Sequence, residues 1–118
     1  MIKALSYIGI KSTLRDEWAA FATKILGMQL IDKGGDTSIF RMDNQAQRLF
    51  VSGEQDESIA CIGWEVETKA SLGALGSLLE ANGVEIFHGS QSLASQRQVA
   101  DLLWFIDPAG FRVELVWK

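Results

Sequence analysis

The side chains able to do chemistry are few and lie apart. His88 is the one histidine and Cys61 the one cysteine among 118 residues. Imidazole and thiolate metal sites need several such donors at fixed spacing, and a nucleophilic thiol needs a neighbouring base or cation to ionise it. Cys61 has no histidine or second cysteine nearby in sequence to activate it and reads as a small buried hydrophobe. His88 precedes Gly89 and Ser90 at the end of an expected strand and reads as a loop histidine. There is no CxxC pair, Gly-rich phosphate loop or GxSxG elbow. Arg48 and Phe50, and again Arg112 and Glu114, stand two residues apart, so on strands each pair shares one face of a sheet. A buried Glu114 would then be neutralised by arginine, Arg48 or Arg112; the alternative is a surface ion pair worth under ~1 kcal/mol. Of the four tryptophans, Trp18 reads as helix-to-sheet core, and Trp64, out of phase with Cys61, faces the helices. Trp104 and Trp117 are the candidates for an interface, with ordinary core as the alternative.

Composition narrows the classes. Hydrophobic residues at 47% and charged residues at 22% describe a chain that folds rather than a disordered one. A net charge of -4, with Lys and Arg scattered, argues against a nucleic-acid partner. No apolar run approaches the ~20 residues of a membrane helix, and the start lacks the apolar core of a signal peptide, so a cytoplasmic location is expected.

The positioning elements come twice. ALSYIGIK, Ala4 to Lys11, has strand composition; Arg15 to Leu26 carries Trp18, Ala22, Ile25 and Leu26 at helical spacings and stops at Gly27. Met28 to Lys33, a Gly34-Gly35-Asp36 turn, Ser38 to Met42, an Asp43-Asn44 turn and Gln47 to Ser52 predict a three-strand meander. The order repeats with Cys61 to Thr68 as strand, Ser71 to Asn82 as helix, Gly83 as its cap and Val84 to Phe87 as strand. SYIGI aligns with ACIGW, KILGMQL with EANGVEI, and DNQAQRLFV with DPAGFRVEL, which pairs Arg48 with Arg112 and Phe50 with Glu114. The offset grows from 54 (61 − 7) to 64 (107 − 43), placing an insertion around Gln91 to Ala100. Gln91 to Val99 is either a short polar helix or an exposed loop. The expected fold is α+β, two βαβββ modules at about 1–54 and 58–118 forming one domain with a curved mixed sheet and helices on its convex side. A sandwich with accidental internal likeness is the alternative.

LSYIGI, EWAAFATKILGM, FRMDNQAQRLFV, GWEV and SLASQRQVADLLWFIDPAGFRVEL resemble the vicinal oxygen chelate superfamily, which holds glyoxalase I, bleomycin-resistance proteins and type I extradiol dioxygenases. The LASQRQV insertion points to the dioxygenase branch and its N-terminal domain, that of 2,3-dihydroxybiphenyl dioxygenases. The resemblance implies tandem fusions in which a second pair of modules carries catalysis, with Lys118 standing where the first domain would end. The chain would then be an excised domain, a half-length relative or a subunit needing a partner.

The resemblance also implies Fe(II) or Mn(II) held by two histidines and a carboxylate. The family's ligand positions fall on Tyr7, Phe50, Cys61 and Glu114, of which Glu114 alone is an ordinary hard-metal ligand. The expectation is therefore a non-catalytic, metal-free domain of an extradiol dioxygenase of aromatic catabolism, its cup filled by an ion pair, with metal held only in a catalytic partner domain. Two alternatives stand beside it. One is a homodimer binding an antibiotic or other small molecule, by its acidic balance a cationic one, as bleomycin-resistance proteins do; the other is an enzyme site shared between two chains, each giving Glu114 and His88.

Overall fold

The computed structural model describes residues 1–31 and 35–118. Asp32, Lys33 and Gly34 lie outside the described residues, and with them the end of the expected Met28–Lys33 strand and the start of its turn. The chain divides into two compact units, Tyr7–Ala60 and Cys61–Lys118, the second also taking in Met1–Ser6.

The first unit is built on β1 (Ile2–Lys11), a helix α1 (Arg15–Ala20) extended by a π-helical turn (Phe21–Ile25), β2 (Gln29–Ile31), β3 (Thr37–Arg41) and β4 (Leu49–Ser52). Their order across the sheet is β2-β3-β4-β1, with β1 parallel to β4 and the other neighbours antiparallel. Alternation divides the side chains as amphipathic strands must. Phe40, Leu49 and Val51 join Ala22 in a buried cluster against which Ile8, Ile10, Trp18 and Met28 pack. Tyr7, Gly9, Ile39 and Phe50 take the opposite face.

The second unit repeats the plan with β5 (Ser58–Val66), α2 (Lys69–Ala81), β6 (Phe87–His88), α3 (Gln91–Arg97), β7 (Asp101–Ile106) and β8 (Arg112–Trp117). Its order is β5-β8-β7-β6, β5 running parallel to β8. Val66, Leu72, Leu103, Val113 and Leu115 are its buried cluster, with Trp64, Leu75, Leu79, Ile86, Phe105 and Trp117 packed against it. Thr68 caps α2 by accepting the Ser71 N–H, and Gly27 (φ 71°) and Gly83 (φ 80°) follow the two main helices in the left-handed conformation that glycine enters without strain.

Two expectations are corrected, and the grouping of the first residues is a finding beside them. The helix expected over Arg15–Leu26 is α-helical only to Ala20; the next turn is wider, closed by Leu26 N–H donating to the Phe21 carbonyl at 3.1 Å. A π-turn shifts the helical phase, so Trp18 and Ala22 stay on the core while Ile25 is 71% and Leu26 47% exposed. The strand expected over Val84–Phe87 is Phe87–His88, because the Val84 N–H is still engaged in closing α2, on the Leu79 carbonyl at 3.0 Å. Residues 1–6, although they open the first βαβββ repeat, group with the second compact unit: Glu67 N–H donates to the Met1 carbonyl at 3.1 Å and Lys3 pairs with Glu65 at 3.6 Å.

The segment before β5 is also fixed locally. Asp56 (φ 109°) and Glu57 (φ 46°) hold backbone conformations uncommon outside glycine. The Glu57 carboxylate accepts from the Ser12 hydroxyl and from both the Thr13 N–H and hydroxyl, which lowers its pKa and ties the loop to the end of β1.

One glycine is set by close approach. Gly9 stands opposite Phe50 in the β1–β4 register, and a Cβ on it would lie 2.2 Å from Phe50 Cζ. Gly9→Ala should cost about 1–3 kcal/mol, the usual range for overpacking, read as a lower urea midpoint. Shortening the ring in Gly9→Ala/Phe50→Leu should recover part of the loss, and an unshifted midpoint for the single variant would contradict the packing.

Candidate functional site

The duplication places matched residues at matched registers. In the first unit Gly9 faces Phe50, and Tyr7 meets Phe50 ring to ring, centroids 6.0 Å apart and tilted by 51°. In the second unit Gly63 faces Glu114, with Cys61 one alternation earlier on β5. Both pairs of equivalent positions thus lie on the sheet faces turned from the helices. Tyr7 and Phe50 are buried at 1% and 6% exposure and Cys61 and Glu114 at 1% and 0%. The first unit offers rings where the second offers a thiol and a carboxylate.

A fully buried carboxylate needs compensation, and Glu114 receives it from two guanidinium groups. Arg97 donates from Nε to Oε1 at 2.8 Å and from Nη2 to Oε2 at 3.1 Å, the fork geometry that matches a carboxylate. Arg112 donates from Nε to Oε2 at 2.9 Å. The expected alternation does bring Arg112 beside Glu114. Arg97 had not been singled out: it reaches Glu114 from α3, the segment left open between helix and loop. That helix is set by the Ser90 side chain, which caps it by accepting from Leu93 N–H, by buried Ala94, and by Gln98 in the left-handed conformation at its end. The available signal was a charged residue closing a short capped segment inside the insertion. Arg48 has hydrogen bonds from Nε and Nη2 to Asp43 in its own turn, at distances down to 2.8 Å.

Cys61 is held as a thiol. Burial pushes its pKa up to about 12, the negative charge of Glu114 and the hydrogen bond to that carboxylate add to this, and Arg97 and Arg112 oppose it. A thiol so placed is neither a ready nucleophile nor a thiolate ligand.

The aromatic residues of the second unit divide by face. Trp117 shares alternation with Val113 and Leu115 and packs on the helix-side cluster, as does Trp64. Trp104 lies opposite Glu114 on the other face. It stacks on Phe87, centroids 4.2 Å apart and 18° from parallel, and the Arg112 guanidinium carbon sits 3.9 Å from its ring centre. His88, next along β6, faces the helix side and lines an open cleft of about 220 Å³ with Lys69, Glu80, Ile86 and Asp101 among its walls. His88 and Glu114 therefore emerge on opposite faces of one sheet. Among the described residues no three His, Cys, Asp or Glu side chains are grouped so as to hold a metal ion, and no helix is long and apolar enough to cross a membrane.

Two outcomes test this arrangement. Arg97→Met, which leaves Glu114 under-compensated, should lose of order 3 kcal/mol in denaturant unfolding, and Arg97→Met/Glu114→Met should regain most of it; a double variant as unstable as the single would show that the charge pair is not the source. Cys61 should react with a thiol reagent only after unfolding. Because its folded pKa is raised, its contribution to stability is complete below the ordinary value of 9.0 and is lost as pH climbs toward about 12. In that window the wild type should lose stability more steeply than Cys61→Ala, by up to about 1.4 kcal/mol per pH unit; parallel curves for the two proteins would refute it.

Comparison with known proteins agrees with this architecture. Residues 5–53 match the family model described as Dihydroxybiphenyl dioxygenase BphC D1. The chain is 29% identical over 117 residues to a biphenyl-2,3-diol 1,2-dioxygenase of Sphingomonas paucimobilis, covering 98% of this chain and 39% of that protein. It is 34% identical over 114 residues to a 1,2-dihydroxynaphthalene dioxygenase of Pseudomonas sp. (strain C18), covering 96% and 38%. A crystal structure of BphC, a halotolerant catechol dioxygenase, superposes with a TM-score of 0.94 at 38% identity over 99% of this chain and 40% of that one. The chain spans about 40% of the length of such relatives. Two βαβββ units with glycine-faced strand registers carry, over residues 5–53, the BphC D1 domain of the dihydroxybiphenyl dioxygenase family model, and the chain is similar along nearly all of its length to these dioxygenases.

Proposed function

We propose that this chain is the non-catalytic, metal-free half of a cytoplasmic extradiol dioxygenase that opens catechol-type rings in aromatic-compound degradation, and that it packs against and supports a catalytic domain. The observation carrying this reading is the state of Glu114. The one ordinary hard-metal ligand among the inherited positions has its two oxygens engaged by Arg97 and Arg112.

The donor set does not fit the ion of the resembled enzymes. A facial site for Fe(II) takes two imidazoles and a carboxylate, and the sequence holds His88 alone. Tyr7 and Phe50 are packed aromatic rings, and Cys61 keeps its proton. No step of ring opening is assigned to these residues; the role left to them is structural. The opposite-face placement of His88 and Glu114 speaks against a site in which each of two chains donates both residues. A cationic ligand seeking Glu114 would have to displace the two guanidinium groups that already engage its carboxylate.

The test is metal analysis joined to a ring-cleavage assay with 2,3-dihydroxybiphenyl. The purified chain should hold no stoichiometric iron or manganese after incubation with either ion and should not open the ring. Adding a separately expressed catalytic half of a related dioxygenase should give activity above that of the half alone. One tightly held metal ion per chain, or ring opening by the chain by itself, would overturn the proposal.

A further inference from the structure

The end of α2 carries the one Asn-Gly pair of the sequence, Asn82-Gly83. Asparagine before glycine is open to a reaction of its own main chain: the backbone nitrogen of the following residue attacks the side-chain carbonyl, and glycine, with no Cβ, leaves that approach unhindered. Both residues are exposed to water, yet the folded chain restrains both reacting groups. The Gly83 N–H, source of the nucleophile, donates to the Glu80 carbonyl at 3.0 Å. The Asn82 amide, whose nitrogen must leave, donates from Nδ2 to the Leu78 carbonyl at 2.8 Å, which turns the side chain back along the helix. These are bonds of a helix's last turn, which opens at far lower free energy than a core. The other asparagine, Asn44, precedes Gln45, whose side chain crowds the same approach.

We propose that Asn82-Gly83 is a site of spontaneous deamidation gated by opening of the last turn of α2, and that each event weakens the turn that restrained it. When the Gly83 and Asn82 bonds open together, the Gly83 amide gives its proton to hydroxide and its nitrogen bonds to Asn82 Cγ. The Cγ–Nδ2 bond breaks, and that nitrogen leaves as ammonia after taking a proton from water, which restores the hydroxide and leaves a cyclic imide. Water then adds to one of the two imide carbonyls and opens the ring to aspartate or isoaspartate. One water is consumed and one ammonia released, with no change of oxidation state. Either product sets a carboxylate at the negative end of the helix dipole and deletes the Nδ2 donor to Leu78. Isoaspartate also routes the main chain through Cβ, lengthening it by one carbon just where the Gly83 and Val84 N–H groups close α2 on Glu80 and Leu79. The strand that follows, Phe87–His88, is two residues long and has little pairing of its own to absorb the shift.

The experiment incubates the folded chain, and the same chain unfolded in guanidinium chloride, in one mildly alkaline buffer and follows both by peptide mass mapping, with isoaspartyl methyltransferase labelling to count isoaspartate. Modification is expected at Asn82 in both states, ahead of Asn44. The folded chain should react at least about tenfold more slowly than the unfolded one, and by a factor no smaller than the hydrogen-exchange protection of the Gly83 N–H, since the same bond must open for both. The aged folded chain should melt below the fresh one, Asn82→Asp should reproduce part of that shift, and Asn82→Gln should keep its starting melting temperature through the incubation. Equal rates in the two states, or a retardation smaller than the Gly83 protection, would overturn the gate. Reaction centred on Asn44, or none at Asn82 in the unfolded chain, would overturn the site, and an aged, modified chain that melts with the fresh one would overturn the weakening.

Discussion

A carboxylate with no exposure to water is the constraint around which the second unit is organised. Glu114 sits on a central strand with Gly63 across the ladder, and a buried charge there is tolerable only if its lone pairs are met. Meeting them fixes much else. Arg97 must be delivered by a helix between β6 and β7, so α3 needs its Ser90 cap, its buried Ala94 and its left-handed Gln98. Arg112 lies over the Trp104 ring, which stacks on Phe87 of the edge strand. The thiol of Cys61 stays protonated because it shares this neighbourhood. One acidic side chain thus couples three strands and a helix on the face away from the apolar core.

The first unit solves the equivalent position by other means. There Phe50 takes the place of Glu114, and as an apolar ring packed on Tyr7 it needs no counter-charge. Gly9 is then needed for space rather than for conformation. Among the described residues α3 has no counterpart in the first copy, where an aromatic pair needs no counter-charge.

How much of this could be read from the residues depends on the range of the interactions involved. The repeat was legible because cap glycines, turn acids and alternating strands are local signals, and Gly27 with Gly83, or Asp43 with Asp107, occur at matched places. Arg112 beside Glu114 was legible for the same reason, being two residues away on one strand. Arg97 was not, since its contact with Glu114 spans 17 residues and depends on the phase of a seven-residue helix. The π-turn at Phe21–Ile25 was also hidden, as a wider turn leaves no mark on apolar spacing, and Ile25, at helical spacing from Trp18 and Ala22, faces out. The edge strand holding Phe87 and His88 was misplaced because the closing bond of α2 reaches Val84, an ordinary strand former by composition.

The placement of residues 1–6 bears on how the chain is made. Their partners Glu65 and Glu67 lie more than sixty positions downstream, the Met1 to Glu67 bond spanning 66 residues. A ribosome adding roughly 5–20 residues per second exposes Tyr7–Ala60 in full before the companions of that leading segment emerge. The leading segment therefore waits, unpaired on one side, while the hairpins behind it close. Pairing of such high sequence separation is slow to form, and a nascent strand held open in this way is a place where a ribosome-bound chaperone, or a neighbouring nascent copy, has time to act.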